Sequence, residues 1–303
     1  MTRIQVDQVD EAHDQGVRPS MEDTSIQFTD EKSGWRVFGM FDGHGGTTVS
    51  VQLADPVNGI APFIVAQLTK SNVQDAQQIV QTIIDAHLEY DKKHFQTEYR
   101  TGSTSVMVIL PPTGNDMYIA YVGDSRAAIY KDATTFVSTI DHKPSVKSER
   151  DRIARAGGHV TDGRCSRVNG ILAVSRAFGD AALKHVRDMR ETDMQVTQKT
   201  DTQVMQTTDL TETKLCTDDI HYKYDNENSP VSVRPSIVQC IVSSSITVIV
   251  ACDGLWDVLN ESTVGQHIQQ ADVCSFLVKK SINELCSGDN VSVMRLHCNI
   301  VKN

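Results

Sequence analysis

Arg36-Val37-Phe38-Gly39-Met40-Phe41-Asp42-Gly43-His44-Gly45-Gly46 is an apolar run of strand length that ends on an aspartate and turns at once on glycine. The pattern recurs. Met117-Tyr118-Ile119-Ala120-Tyr121-Val122-Gly123 runs into Asp124, and Ile246-Thr247-Val248-Ile249-Val250-Ala251-Cys252 runs into Asp253-Gly254. In the reverse order, Asp289-Asn290 opens Val291-Ser292-Val293-Met294-Arg295-Leu296. If neighbouring strands are antiparallel, three strand exits and one strand start lie on the same rim of a sheet. Four carboxylates gathered there repel one another unless a cation neutralises them. Oxygen ligands flanked by glycine suit a hard divalent cation such as Mg²⁺ or Mn²⁺. A single Asp-Gly is only a turn signal; its recurrence points to a metal-dependent hydrolase.

The 303 residues suffice to bury a substantial core. A formal charge of −10 argues against a nucleic-acid or anionic-membrane partner, and part of that acidity is expected at the metal site. Seven cysteines without regular spacing do not form a disulfide framework. Cys252, Cys274 and Cys298 sit in apolar runs as buried thiols, and the absence of a Cys-x-x-Cys pair argues against zinc. No secretory signal, myristoylation signal or apolar run of the ~20 residues needed to span a bilayer is found. A soluble monomer of the cytosol or nucleus is the expectation.

Gln74 to Tyr99 is the clearest amphipathic helix, with Ala76, Ile79, Val80, Ile83, Ile84, Leu88 and Phe95 recurring at helical spacing. Residues 45–70 are predicted helical with at least one break, at Pro56 or Pro62. Residues 145–156 and 272–286 read as two further helices, the first stopped by Gly157-Gly158. Ser105–Leu110 and Met117–Val122 are predicted strands joined by a Pro-Pro-Thr-Gly-Asn-Asp turn. Asp257 reads as a helix-start residue. Two central strand layers with helices outside them follow. From about 181 to 236 the chain is polar, threonine-rich and free of glycine. Residues 194–198 and 203–207 mirror each other, which suits either a hairpin or a surface loop.

The ordered motifs resemble the type 2C, Mg²⁺/Mn²⁺-dependent serine/threonine protein phosphatases. They are Arg18-Pro19-Ser20-Met21-Glu22-Asp23, Phe41 to Gly46, Gly102-Ser103-Thr104, Tyr121 to Arg126 and Asp141-His142-Lys143-Pro144. Arg167 to Gly170, Ala177-Phe178-Gly179-Asp180, Ala251 to Val258 and Asp289-Asn290-Val291 complete the series. The resemblance spans nearly the whole chain. It implies an α+β fold, a four-layer αββα sandwich, as one catalytic domain over 1–303 with an extended variable flap at 181–236. It implies phosphoserine and phosphothreonine proteins as substrates, and direct attack by a hydroxide bridging two metals ~3.5–4 Å apart. Asp42 is the best bridging carboxylate, with Gly43 free to turn its carbonyl inward. By resemblance Asp253 and Asp289 complete one metal shell, and Glu22 and Asp23 serve the other, partly through water. The resemblance also assigns Arg18 to the substrate phosphate, a match of guanidinium fork to phosphate oxygens. His44 is the implied general acid, a metal ligand or structural histidine being the alternatives. Asp124, with Asp253, can hold a third, weaker metal, or else is a turn residue bonded to Arg126. Thr104, Gly179 and Asp180 are expected to organise loops near the site. Pro235-Ser236 stands where many relatives carry Pro-Glu. A non-catalytic binding module is the alternative class; such proteins lose metal carboxylates, and here all remain.

Overall fold

Each apolar run becomes a strand whose two faces are both covered, which is why the runs are continuous rather than alternating. The computed structural model describes residues 2–71, 73, 75–98, 100–131, 133–187 and 222–302. The main strands are β1 (Thr2–Asp14), β2 (Thr24–Thr29), β3 (Arg36–Phe41), β4 (Ser105–Leu110) and β5 (Asp116–Val122). They continue with β6 (Arg126–Lys131), β7 (Thr134–Ser138), β8 (Ser236–Ile241), β9 (Ile246–Ala251) and β10 (Val291–Lys302). One antiparallel sheet has the order β1-β10-β9-β6-β7 and the other β8-β5-β4-β3-β2.

The sheets pack face to face through Phe38, Met40, Val106, Val108, Val248, Val250 and Met294. The odd-numbered neighbours Val37 and Phe41 point the other way, into a core shared with helices α1 (Thr48–Leu53), α2 (Ile60–Lys70) and α3 (Ala76–His94). On the opposite outside, Ile249, Ala251, Val291 and Val293 meet Leu255, Trp256 and Leu277. Four layers result, αββα, as the motifs implied. The remaining helices are α4 (Lys147–Arg155), α5 (Asp253–Trp256), α6 (Glu261–Gly265) and α7 (Val273–Lys279), the last running into a π-helical turn at Lys280–Glu284.

Local chemistry sets the boundaries. Asp75 caps α3 by accepting the Gln78 N–H at 2.8 Å, and Phe95 leaves helical geometry. Pro62 falls in the first turn of α2, where a missing N–H costs nothing. Residues 188–221 lie outside the described residues, and with them the 194–207 hairpin pattern. The chain enters and leaves that stretch through a short antiparallel ladder, His185–Arg187 against Tyr222–Tyr224. Among the described residues no helix is long and apolar enough to cross a membrane.

Candidate metal centre and cleft

Register explains how distant aspartates meet. β3 and β5 are both antiparallel to β4, so they run parallel and end on one rim, where Asp42 and Asp124 follow them. In the other sheet Ala251 pairs with Val293, so β9 ends where β10 begins and Asp253 lies beside Asp289. Asp14 pairs with Val291, which brings the chain bearing Arg18 to the same rim. Thr24 pairs with Phe41, so Glu22 and Asp23 arrive next to Asp42. A cavity of about 220 Å³ opens there, with Arg18, Asp42, Gly43, His44, Asp124, Asp253 and Asp289 on its wall.

Glu22 and Asp23 do not line the cavity. Asp23 is buried beneath it, where ligand atoms of Asp23, Asp42 and Cys252 lie within 4.8 Å of one another. The Ser292 hydroxyl donates to Asp23 Oδ2 at 2.6 Å, but Asp23 Oδ1 and Asp253 Oδ1 are buried with no hydrogen-bond partner among the described residues. Two carboxylate oxygens left so are costly unless something cationic meets them. Glu22 faces sideways, accepting from the Ser20 hydroxyl at 2.9 Å and the Gly46 N–H at 3.2 Å. A Cβ on Gly43 would lie 2.6 Å from the Glu22 carbonyl, so only glycine lets these two segments close.

The electrostatics agree. Burial, then the neighbouring Asp23, Asp253 and Asp124, hold the Asp42 carboxyl well above its ordinary range. Burial and then Asp124 and Asp289 do the same to Asp253. Burial pushes Asp124 up to about 6, against the pull of Lys143, and also raises Asp23 and Asp289. Cys252 is no soft ligand. Burial and the adjacent carboxylates push its thiol up, its S–H faces the Asn290 carbonyl at 3.4 Å, and its sulfur accepts the Ser292 N–H at 3.2 Å. The donor set is therefore carboxylate oxygen, with two buried oxygens unpartnered among the described residues, which fits a hard divalent cation.

Around this centre each loop is tied. Arg18 donates from Nε to the Gly288 carbonyl at 2.9 Å and from Nη2 to Asp289 at 2.5 Å, with half of its side chain exposed. His44 Nε2 lies 2.8 Å from Asp180 Oδ2. Burial lowers the His44 value, but the Asp180 carboxylate outweighs it and the net shift is upward. Gly102 makes the pair possible, since a Cβ there would lie 2.1 Å from Asp180 Oδ2 and 2.3 Å from His44 Nε2. Thr104 and Asp42 clamp each other, Asp42 N–H to Thr104 Oγ1 at 3.2 Å and Thr104 N–H to the Asp42 carbonyl at 2.9 Å.

Two expectations are corrected. Asp257 ends α5 rather than starting a helix, because Cys252 takes the capping position and Asp253 the first turn. Its carboxylate instead accepts from Lys143 at 2.9 Å. Arg126 does not bond Asp124; its fork grips Asp141 at 2.9 and 2.8 Å and reaches Glu261 at 2.6 Å, leaving Asp124 with Lys143 at 4.0 Å. Sequence reasoning missed Lys143 and Asn290. Asn290 accepts the Glu22 N–H at 2.9 Å and donates to the Gln15 and Ser20 carbonyls at 2.9 and 3.0 Å. Both residues lie inside quoted motifs, which was the available signal.

A carboxyl whose value is raised by folding costs stability once the pH exceeds its unfolded value, and the cost is relieved as pH falls through the folded value. A bound cation relieves the same repulsion and displaces the protons. Mn²⁺ added to EDTA-treated protein at pH 7.5 should therefore raise Tm, on the order of 5 °C at a hundredfold excess over Kd. The gain should shrink toward pH 6, where Asp124 takes up its proton. Calorimetry checks both; an unchanged Tm at millimolar Mn²⁺ overturns the cation site.

A family model described as "Protein phosphatase 2C" matches residues 7–287. The chain is 30% identical to "Probable protein phosphatase 2C 21" of Oryza sativa subsp. japonica, over 84% of this chain and 71% of that protein. It is 29% identical to "Protein phosphatase 1B" of Mus musculus, over 92% of this chain and 67% of the other. Against "Probable protein phosphatase 2C 56" of Oryza sativa subsp. japonica, 32% identical, it covers 82% of itself but only 58% of that relative. The fold matches the "Crystal structure of serine-threonine phosphatase 2C from Toxoplasma gondii" with a TM-score of 0.68 at 20% identity, covering 96% of this chain and 94% of that one.

Proposed function

The chain belongs to the protein phosphatase 2C family, and on that premise we propose that it is an active serine/threonine phosphoprotein phosphatase dependent on Mg²⁺ or Mn²⁺. The reading covers one catalytic domain over 1–303, with 181–236 as its variable flap. The observation that carries it is the cleft, where Asp42, Asp253 and Asp289 converge near buried Asp23, with two carboxylate oxygens that lack a partner among the described residues. A binding module that had lost catalysis would have no reason to keep that unfavourable charge.

Divalent cations held by Asp42, Gly43, Asp253 and Asp289, with Glu22 and Asp23 behind, would supply the nucleophilic hydroxide and offset the phosphate charge. Asp124 stands ready beside Asp253 for a further, weaker cation. The rest is the work of the chain. Arg18, anchored on Asp289 and Gly288 and half-exposed, offers a phosphate oxygen the guanidinium N–H groups those bonds do not use. Asp180 holds His44 through Nε2 and favours its protonated form, so Nδ1 is the atom left to pass a proton to the departing alkoxide. Thr104 fixes the Asp42 backbone and keeps that carboxylate aimed into the cleft.

The experiment is hydrolysis of a phosphothreonine peptide by the purified chain. Turnover is expected with Mn²⁺ or Mg²⁺, loss in EDTA, and recovery on re-addition. Metal binding by calorimetry without turnover on any phosphopeptide would favour the binding module instead.

A further inference from the structure

A second cavity, of about 370 Å³, is basic rather than acidic, with Arg152, Arg155, Arg176 and Arg234 on its wall beside Glu227. Its charges do not balance. Glu149 is shared between Arg176, at 2.5 Å, and Arg152, at 3.1 Å. Arg152 spends its other donors on the neutral carbonyls of Ser229, Ser175 and Pro230. Glu227 pairs with Arg234 at 2.5 Å, and Arg155 makes no ion pair among the described residues, its Nε reaching only the Asp151 carbonyl at 3.3 Å. Ser236, which accepts from Arg176 at 3.3 Å, is neutral. Four guanidinium groups thus face two carboxylates, and the excess is positive. Arginine forks match phosphate oxygens bidentately, and a concave site strengthens the contact by excluding water.

The basic cavity and the acidic cleft are lined by neighbouring residues of one chain segment. Leu172, Ala173 and Val174 line the cleft, and Arg176 lines the basic cavity. Two residues of chain span at most about 7 Å, so one extended polypeptide can reach both.

Resting on the phosphatase reading above, we propose that the arginine cavity binds a second phosphate group carried by the same substrate polypeptide, a few residues from the one being removed. Multiply phosphorylated segments are then the favoured substrate class. Free inorganic phosphate has the same chemistry and is separated by the test.

The test is a series of phosphothreonine peptides with a phosphoserine placed two to six residues to either side. One spacing should raise kcat/KM about tenfold over the singly phosphorylated peptide, the size of one charge-assisted contact. R155A/R234A should remove that gain while leaving p-nitrophenyl phosphate turnover unchanged, and R155A alone, an exposed change, should remove part of it. No gain at any spacing, or a gain that the variants keep, overturns the proposal. So does a wild-type Tm raised by inorganic phosphate, and not in the double variant, without any preference among peptides, since the cavity then serves the free ion. If wild type with Mn²⁺ turns over neither peptide nor aryl ester, it is the phosphatase reading that fails. The cavity is then judged by fluorescence polarisation of the same labelled peptides, where equal binding by wild type and R155A/R234A overturns it.

Discussion

Asp253→Asn is expected to remove phosphopeptide hydrolysis while the apo protein becomes no less stable than wild type. Asp253 is held far above its ordinary range by burial and by Asp124 and Asp289, and its Oδ1 has no hydrogen-bond partner among the described residues. Deleting its charge relieves repulsion in the absence of metal, and deletes attraction in its presence. The activity loss should exceed the roughly 10–100-fold typical of removing a mere supporting partner of a metal ligand. Asp42→Asn should behave alike, since it faces the same carboxylates. Two measurements on each variant settle the assignment: kcat/KM with Mn²⁺, and Tm with and without Mn²⁺. Near-normal turnover at ordinary metal concentrations, or a Mn²⁺-induced gain in Tm as large as wild type's, would sink it.

His44→Gln should divide substrates by leaving group. An alkoxide from phosphothreonine needs a proton as it departs, whereas p-nitrophenolate does not. General acid catalysis contributes about 10²–10⁴-fold, so the defect should approach that range on phosphothreonine and stay small on the aryl ester. Asp180→Asn should give the same pattern more weakly, because Asp180 acts only through its 2.8 Å contact with His44 Nε2. Equal defects on both substrates would instead mark the pair as structural.

Much of the fold was legible because its signals are local. Val37 to Phe41 and Val248 to Ala251 are apolar at every position, which only a strand covered on both faces requires. Periodicity marks a helix over 74–99, and the helix formed is 76–94, with Asp75 as its cap. The family motifs carry the acids that strand register brings to one rim. What sequence could not rank was the standing of each acid on that rim, because an aspartate reads the same whether it lines a cleft or lies beneath one.

From the sequence alone came the strand runs, the glycine-flanked aspartates, the hard-cation chemistry they imply and the family to which the motifs belong. The first three follow from composition and spacing within a dozen residues; the family follows from the resemblance of motifs ordered along nearly the whole chain. Tertiary structure alone decided that Asp23 is buried under Asp42, that His44 leans on Asp180 across 136 positions, and that Arg18 meets Asp289 across 271. It turned Asp257 from a helix start into the partner of Lys143, and it folded Arg152, Arg176 and Arg234 around one cavity. The reason is strand register. Which side chains converge depends on how β4 aligns β3 with β5 and how β10 meets both β1 and β9, and those pairings are set by the whole packed core.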